Sequence, residues 1–226
     1  MSNWIIILVA VIGMVLQALF ILQEKKEKYV PADVLKGLAS LMYLLIGIIG
    51  YNAIKPDDFA CKILAGLIFG MIGDIVMNLR FVLPGGAGQK AFLGGILAFL
   101  IGHVLYLCAL IPISVHLIPS IIIGAVIAAA LLIYIFKTME VKIAFKIFGV
   151  FYLGAVIIMT VIAIDIAIAT AIPQSIMYAI GAVLFTASDI ILIFNTFGGK
   201  TVFSRRVMNL SLYYIGQLLI AGCLLI

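Results

Sequence analysis

The sequence is poor in charge. Only 10% of its 226 residues are Asp, Glu, Lys or Arg, where a soluble domain carries about a quarter. With 66% of residues hydrophobic and a strongly positive mean hydropathy, an ordinary water-facing surface is excluded and an apolar solvent is required. No stretch is left over for a separate soluble catalytic domain, so any chemistry belongs to the helices and their short loops. Cysteine is scarce too. Cys61, Cys108 and Cys223 stand apart with no C-x-x-C pair, which excludes a disulfide framework and a cysteine zinc site. Histidine is rarer still, with His103 and His116 alone. A metal-dependent lipid amidase, which wants three histidines and further ligands, is therefore short of donors, and the expectation is no metal and no cofactor. The N-terminus lacks a basic n-region and a small-residue cleavage site, so residues 4–22 read as a retained first helix.

What is present is a series of long apolar runs. Breaks in hydropathy predict eight helices at about 4–22, 33–51, 61–79, 90–111, 115–136, 143–164, 174–196 and 207–226. Each is near the roughly 20 residues that cross a hydrocarbon core. The expected fold is all-α, a polytopic membrane helix bundle of eight transmembrane helices forming a single domain over residues 1–226. The net charge of +5 does not point to nucleic acid, because the basic residues fall between apolar runs. Lys25, Lys26, Lys28, Lys36, Arg80, Lys90, Lys137, Lys142, Lys146, Lys200, Arg205 and Arg206 lie on one side, against Lys55 and Lys62 on the other. The positive-inside pattern then expects a multi-pass protein of the cell membrane, with the odd loops cytoplasmic and both termini extracytoplasmic. A faint repeat relates residues 1–114 to 115–226. Asp74 and Asp189 are 115 residues apart, and Gly102-His103 precedes Gly216-Gln217 by 114. Four spans per half would make the halves parallel repeats.

Against this background two carboxylates stand out, Asp74 in "IGDIVMN" and Asp189 in "ASDII". An aspartate at mid-bilayer costs about 3 kcal/mol on insertion scales. Asp74 precedes Arg80 by six residues, about 9 Å of helix at the standard rise, and Asp189 lies a similar distance from Lys200. Both are thus expected at one shallow depth, in a layer shared with Tyr213, Tyr214 and Gln217 of the last helix. Asn78, one turn beyond Asp74, is expected to hydrogen-bond it, and the alternative to a functional pair is that the aspartates fix helix packing by pairing with Asn78, a tyrosine or Lys36. Phe92, Phe99, His103 and Tyr106 share one face of the fourth helix by their spacing, with His103 deeper than the carboxylates. Gly66-x-x-x-Gly70, with Gly73 beyond, reads as a close-packing face that lets another helix approach Asp74. Asp165 reads as an ordinary solvated helix end, and Asp57 and Asp58 as outer-loop residues.

Two carboxyl groups sharing a desolvated pocket do not both ionise cheaply; one keeps its proton while the other stays charged. That is the arrangement of a general acid working with a general base, as in reactions that pass through an oxocarbenium-like state. The depth suits a bond between a lipid's head group and its chain. Buried aspartates also serve proton-coupled small-molecule transporters, which are the alternative class. Such a transporter should break matching helices at mid-depth, whereas Pro112, Pro119 and Pro173 lie near predicted span ends.

The segments "GDIVMN", "FLGGILAFLIGHVLYL", "FTASDIILIFN" and "LYYIGQLLIA" resemble, in order and spacing, the four recurring segments of the YhhN-like family of membrane proteins, which includes the lysoplasmalogenases. The resemblance spans nearly the whole chain. It departs where the family's second helix usually opens with Lys-Pro-Leu, since this chain has Lys36-Gly37-Leu38. The resemblance implies hydrolysis of the vinyl ether bond of lysoplasmalogens to a fatty aldehyde and a glycerophospho-base. It implies Asp74 and Asp189 as the catalytic pair, with one protonating the vinyl carbon and the other stabilising the cation and drawing a proton from water. Substrate contacts are expected from Lys36, Asn78, His103, Tyr106, Tyr213, Tyr214 and Gln217. Lys36, Arg80, Lys90, Arg205 and Arg206 are the cations available to a phosphate. The expected partners are a lysophospholipid substrate and the lipid bilayer.

Overall fold

The computed structural model describes residues 3–53 and 57–226; Lys55, counted above among the basic loop residues, lies outside them. The described residues form eight long helices and no strand: α1 (Asn3–Lys25), α2 (Tyr29–Ala53), α3 (Asp58–Asn78), α4 (Gly85–Leu110), α5 (Leu117–Thr138), α6 (Ile143–Thr170), α7 (Pro173–Phe197) and α8 (Phe203–Gly222). All eight are long and apolar enough to span a membrane. A helix is what an apolar run must become in lipid, because it alone satisfies every backbone polar group within the segment. Single 3-10 turns at Leu79–Phe81, Ile111–Ile113 and Cys223–Leu225 finish α3, α4 and α8.

Several helices run past the hydropathy breaks, and the differences matter. α2 begins at Tyr29 rather than residue 33, with Pro31 in its first turn, where a missing N–H costs nothing. Lys36, inside the predicted span but counted above among the basic loop residues, is thus about two turns from the helix start and buried. α6 continues to Thr170, which leaves Asp165 short of its end. Asp165 is not simply solvated: it accepts from His116 N at 2.9 Å and pairs with His116 Nδ1 at 2.8 Å, tying the start of α5 to α6. Asp57 caps α3 by accepting from Ala60 N at 2.7 Å.

α3 packs most extensively on α4 and α7 on α8, while α2 joins α3 to α8 and α6 joins α4 to α7. α1 lies outside on α2, and α5 lies outside chiefly on α6. Their outer faces show Leu8, Val11, Ile118 and Val126 to the surroundings, as a lipid-facing helix should. The polar side chains are inside. Gln17, Lys36, Ser40, Asp74, His103, Asp189, Asn209 and Gln217 are all buried, the inverse of a water-soluble protein.

Glycine sets how closely the helices approach. A Cβ on Gly102 would lie 3.1 Å from Gly66 O, and one on Gly216 would lie 2.8 Å from Gly181 O. The two crossings stand 115 and 114 residues apart, the offset of the faint sequence repeat. The tightest backbone approach on α4 is at Gly95, where a Cβ would meet Met77 Cβ at 2.5 Å and Met77 Cα at 2.7 Å. Neighbouring Gly94 has only Val76 Cγ1 at 3.4 Å. Gly95→Val is expected to destabilise the protein by about 1–3 kcal/mol through overpacking, while Gly94→Ala leaves stability near wild type. Thermal unfolding of the two purified variants in detergent checks the contrast.

Candidate functional site

Asp74 is delivered by α3 into a set of donors from two other helices. On α2, Lys36, Ser40 and Tyr43 follow one another at intervals of four and three, so they share a face. Lys36 Nζ stands 3.1 Å from Asp74 Oδ1. Ser40 Oγ donates to Oδ2 at 2.6 Å and Tyr43 OH at 3.2 Å. From α8, Tyr213 OH donates to the same oxygen at 2.6 Å. Ser40 Oγ is also 2.9 Å from Lys36 O, but it has one proton, and the shorter contact to a charged acceptor takes it. Asp74 thus has a cation on one oxygen and three hydroxyls on the other, the surroundings of an ionised carboxylate.

Asp189 on α7 is treated differently. Tyr152 OH of α6 donates to its Oδ2 at 2.6 Å, and among the described residues no Lys, Arg or His forms an ion pair with it. Beside it, Asn209 Nδ2 donates to Ser188 O at 2.9 Å and to Ser188 Oγ at 2.7 Å, joining α8 to α7.

Asp74 and Asp189 line one cavity of about 80 Å³, together with Lys36, Tyr152, Ser188, Asn209 and Tyr213. Its remaining walls are largely apolar, with Phe92, Phe99, Phe145 and Leu192 among them. Arg206 also reaches it and is held by Glu24, with Nε to Oε1 at 2.7 Å and Nη2 to Oε2 at 3.0 Å. Arg80 lies 4.3 Å from the ring of Phe92 and 4.5 Å from that of Phe81, and its buried Nε has no hydrogen-bond partner. Lys36 and Arg206 thus bring their paired charges to the cavity, and Arg80, without an ion-pair partner among the described residues, stands behind Phe92 of its wall.

Of the nine residues expected to act in catalysis or to contact substrate, Lys36, Asp74, Asp189 and Tyr213 come together here, and five do not. Asn78 makes no hydrogen bond to Asp74; its buried Nδ2 has no partner, because the α2 and α8 donors already occupy the carboxylate. Tyr214 turns the other way and donates to Ala39 O at 2.9 Å. His103, Tyr106 and Gln217 line a separate cleft beside Phe99 and Phe185 that is too tight to admit a water molecule. His103 Nδ1 donates to Phe99 O at 2.7 Å, which leaves Nε2 as the acceptor; Nε2, Tyr106 OH and Gln217 Oε1 have no partner. Gln217 Nε2 reaches the cavity indirectly, donating to Tyr213 OH at 3.2 Å. Among the described residues, no three His, Cys, Asp or Glu side chains cluster as a metal site.

Ser40, Tyr43, Tyr152, Ser188 and Asn209 were not singled out in the sequence. Ser40 and Tyr43 had a usable signal, since they continue the Lys36 face once α2 is given its full length. Tyr152 had none, because tyrosine is common at membrane interfaces.

A model of the YhhN family matches residues 32–224. The chain belongs to the YhhN family. Comparison with curated proteins and with solved structures gives no match. The YhhN match takes in every residue placed around the cavity and leaves out Glu24, the partner of Arg206. The sequence resemblance to this family thus holds over nearly the whole bundle.

Breaking a buried ion pair by removing one partner costs about 3–5 kcal/mol, because the other charge is left uncompensated. Lys36→Met is expected to lose stability on that scale, and adding Asp74→Asn should recover much of it. A double-mutant cycle on unfolding in detergent reads the coupling directly.

Proposed function

We propose that this YhhN-family protein is a membrane-embedded hydrolase that cleaves the vinyl ether bond of a lysoplasmalogen or related lysolipid, using Asp74 and Asp189. One observation carries the reading: two carboxyl groups from different helices open into the same largely apolar cavity, in unlike surroundings. General acid–base work on an enol ether needs one group that gives a proton and one that meets the resulting positive charge.

The unlike surroundings divide the labour. Asp189 has one hydroxyl donor and no cation, so it is the group that carries the proton. With Tyr152 on Oδ2, the acidic proton sits on Oδ1 and faces the substrate. It passes to the outer vinyl carbon, whose π electrons form the new C–H bond, and the ether-bearing carbon becomes an oxocarbenium ion. Asp74, charged and fixed by Lys36, Ser40, Tyr43 and Tyr213, stabilises that cation. Its acceptor positions are occupied, so it is a poor base. Water adds to the cationic carbon and returns a proton to Asp189. The hemiacetal then collapses: its hydroxyl proton leaves, the glyceryl oxygen takes up a proton, and the C–O bond breaks. Fatty aldehyde and glycerophospho-base depart with Asp189 protonated again.

The transport reading wants helices broken at mid-depth. Here the eight spans run without an internal break in the described residues, and the 3-10 turns fall at helix ends.

Purified protein in detergent is expected to release aldehyde from a lysoplasmalogen, at an unchanged rate with a chelator present. Asp189→Asn should lower turnover by at least about 100-fold while keeping the fold, Asp74→Asn should do the same when read in the Lys36→Met background, where no buried charge is stranded, and Tyr152→Phe should cost less than Asp189→Asn. Wild-type rates in both Asn variants would remove the pair from the mechanism. Proton-coupled flux in liposomes without aldehyde release would favour the transporter.

A further inference from the structure

The carboxylate cavity does not end at its own walls. Phe145, Gly149, Ile193 and Phe197 line both that cavity and a second apolar space of about 40 Å³. The second space is walled by Leu132 and Phe136 of α5 and Leu153 of α6. Gly149 lies at the junction, three residues before Tyr152 on α6. A Cβ there would meet no atom within 4 Å, so helix packing does not require glycine at this place; what its lack of a side chain provides is open space.

Other directions are less suited to an aliphatic chain. On the side of Phe99 and Tyr213 the cavity is backed by an aromatic layer. Phe185 packs 5.3 Å from Tyr213, 6.3 Å from Phe99 and 4.7 Å from His103, ring centroid to centroid. The cations at the cavity are Lys36, Arg206 and, beside Phe92, Arg80, with Glu24 on Arg206 and Asp74 on Lys36. A molecule with an anionic head and one apolar tail fits this polarity in one sense only, head at the arginines and tail over residue 149.

We infer that Gly149 is the pass by which the single aliphatic chain of a lysolipid leaves the carboxylate cavity for the groove among α5, α6 and α7, which makes residue 149 a determinant of chain length. The occupant rests on the hydrolase reading above, but the passage can be tested without turnover. A side chain at 149 closes the opening, and a long tail then has to stay exposed or bent. A tail short enough to end inside the cavity is unaffected. Gly154 supplies the control: its Cβ position is equally open, yet it lines neither space.

The test compares binding of hexadecyl- and octyl-ether lysophosphocholine, which lack the vinyl ether, to the full chain by native mass spectrometry. Gly149→Ala, Gly149→Leu, Gly149→Phe and Gly154→Phe are set beside wild type. Wild type is expected to prefer the hexadecyl lipid by at least about tenfold. The preference should fall stepwise with side-chain size at 149, to about twofold or less in Gly149→Phe, and stay at wild type in Gly154→Phe. An undiminished preference in both the Leu and Phe variants at 149, an equal loss in Gly154→Phe, or no chain-length preference in wild type would overturn the inference. The expected pattern in a protein that releases no aldehyde would uphold the passage and remove the hydrolase reading instead.

Discussion

The contact between Lys36 and Asp74 governs this structure. Taking two such ions out of water costs several kcal/mol each even after relaxation, and their attraction offsets that only when the remaining lone pairs and protons are satisfied. Here the satisfaction comes from three helices at once: Lys36, Ser40 and Tyr43 from α2, the carboxylate from α3 and Tyr213 from α8. Sliding any of the three by one turn would strand a charge in an apolar interior. A membrane bundle lacks the hydrophobic drive that orders a soluble core, so a polar cluster of this kind supplies register that apolar packing alone leaves loose. The glycine contacts of α3 with α4 and of α7 with α8 then carry that register to the rest of the bundle.

The same logic explains why the two carboxyl groups are not equivalent, although both are buried on apolar helices. Asp74 is over-supplied with donors, and Asp189 has one. A carboxylate that accepts a cation and three hydroxyls is rigid and charged, suited to meeting a cation as it forms. A carboxyl with a single tyrosine partner keeps an oxygen free to exchange a proton with a substrate or with water. On the proposed reading, environment divides two identical side chains into stabiliser and proton carrier, the pattern by which paired acids generally work.

How much of this was legible follows from where each signal lies. Eight spans were readable because an apolar run of sufficient length has few other fates. Asp74 and Asp189 were readable because carboxylates are costly in such runs, and the structure brings both to one cavity. Lys36 was misplaced for a physical reason. It stands four residues into the predicted span 33–51, where a lysine counts as a topology signal as readily as a pairing partner for a carboxylate, and the helix running from Tyr29 places it deep enough to be the partner of Asp74. The fourth helix shows the limit of periodicity. Phe92, Phe99, His103 and Tyr106 are all buried on one face as their spacing predicts, but a face is longer than a cavity. Phe92 and Phe99 reach the carboxylates, while His103 and Tyr106 lie below, behind the aromatic layer. Asn78 fails similarly: one turn from Asp74 is near enough to bond, but donors on other helices, invisible to local spacing, are already there.

On the proposed function, the polar lining also bears on how hydrolysis would proceed inside an apolar bundle. The reaction needs a lipid chain and a water molecule at one carbon, and these two prefer opposite surroundings. The cavity separates their routes. Lys36, Arg206, Asn209 and Ser188 give water hydrogen-bonding partners along one side, whereas Phe145, Gly149 and Ile193 offer none on the side that continues between α5 and α7. A lysolipid lying with its head toward the arginines and its chain over Gly149 puts the head-to-chain linkage where the two linings meet, at Asp74 and Asp189. Amphiphile orientation, rather than recognition of the vinyl ether itself, then brings the bond to the acid. On this reading the selectivity for that bond is chemical: protonation at carbon yields a stabilised oxocarbenium ion from an enol ether, and a saturated alkyl ether in the same position has no π electrons to accept the proton.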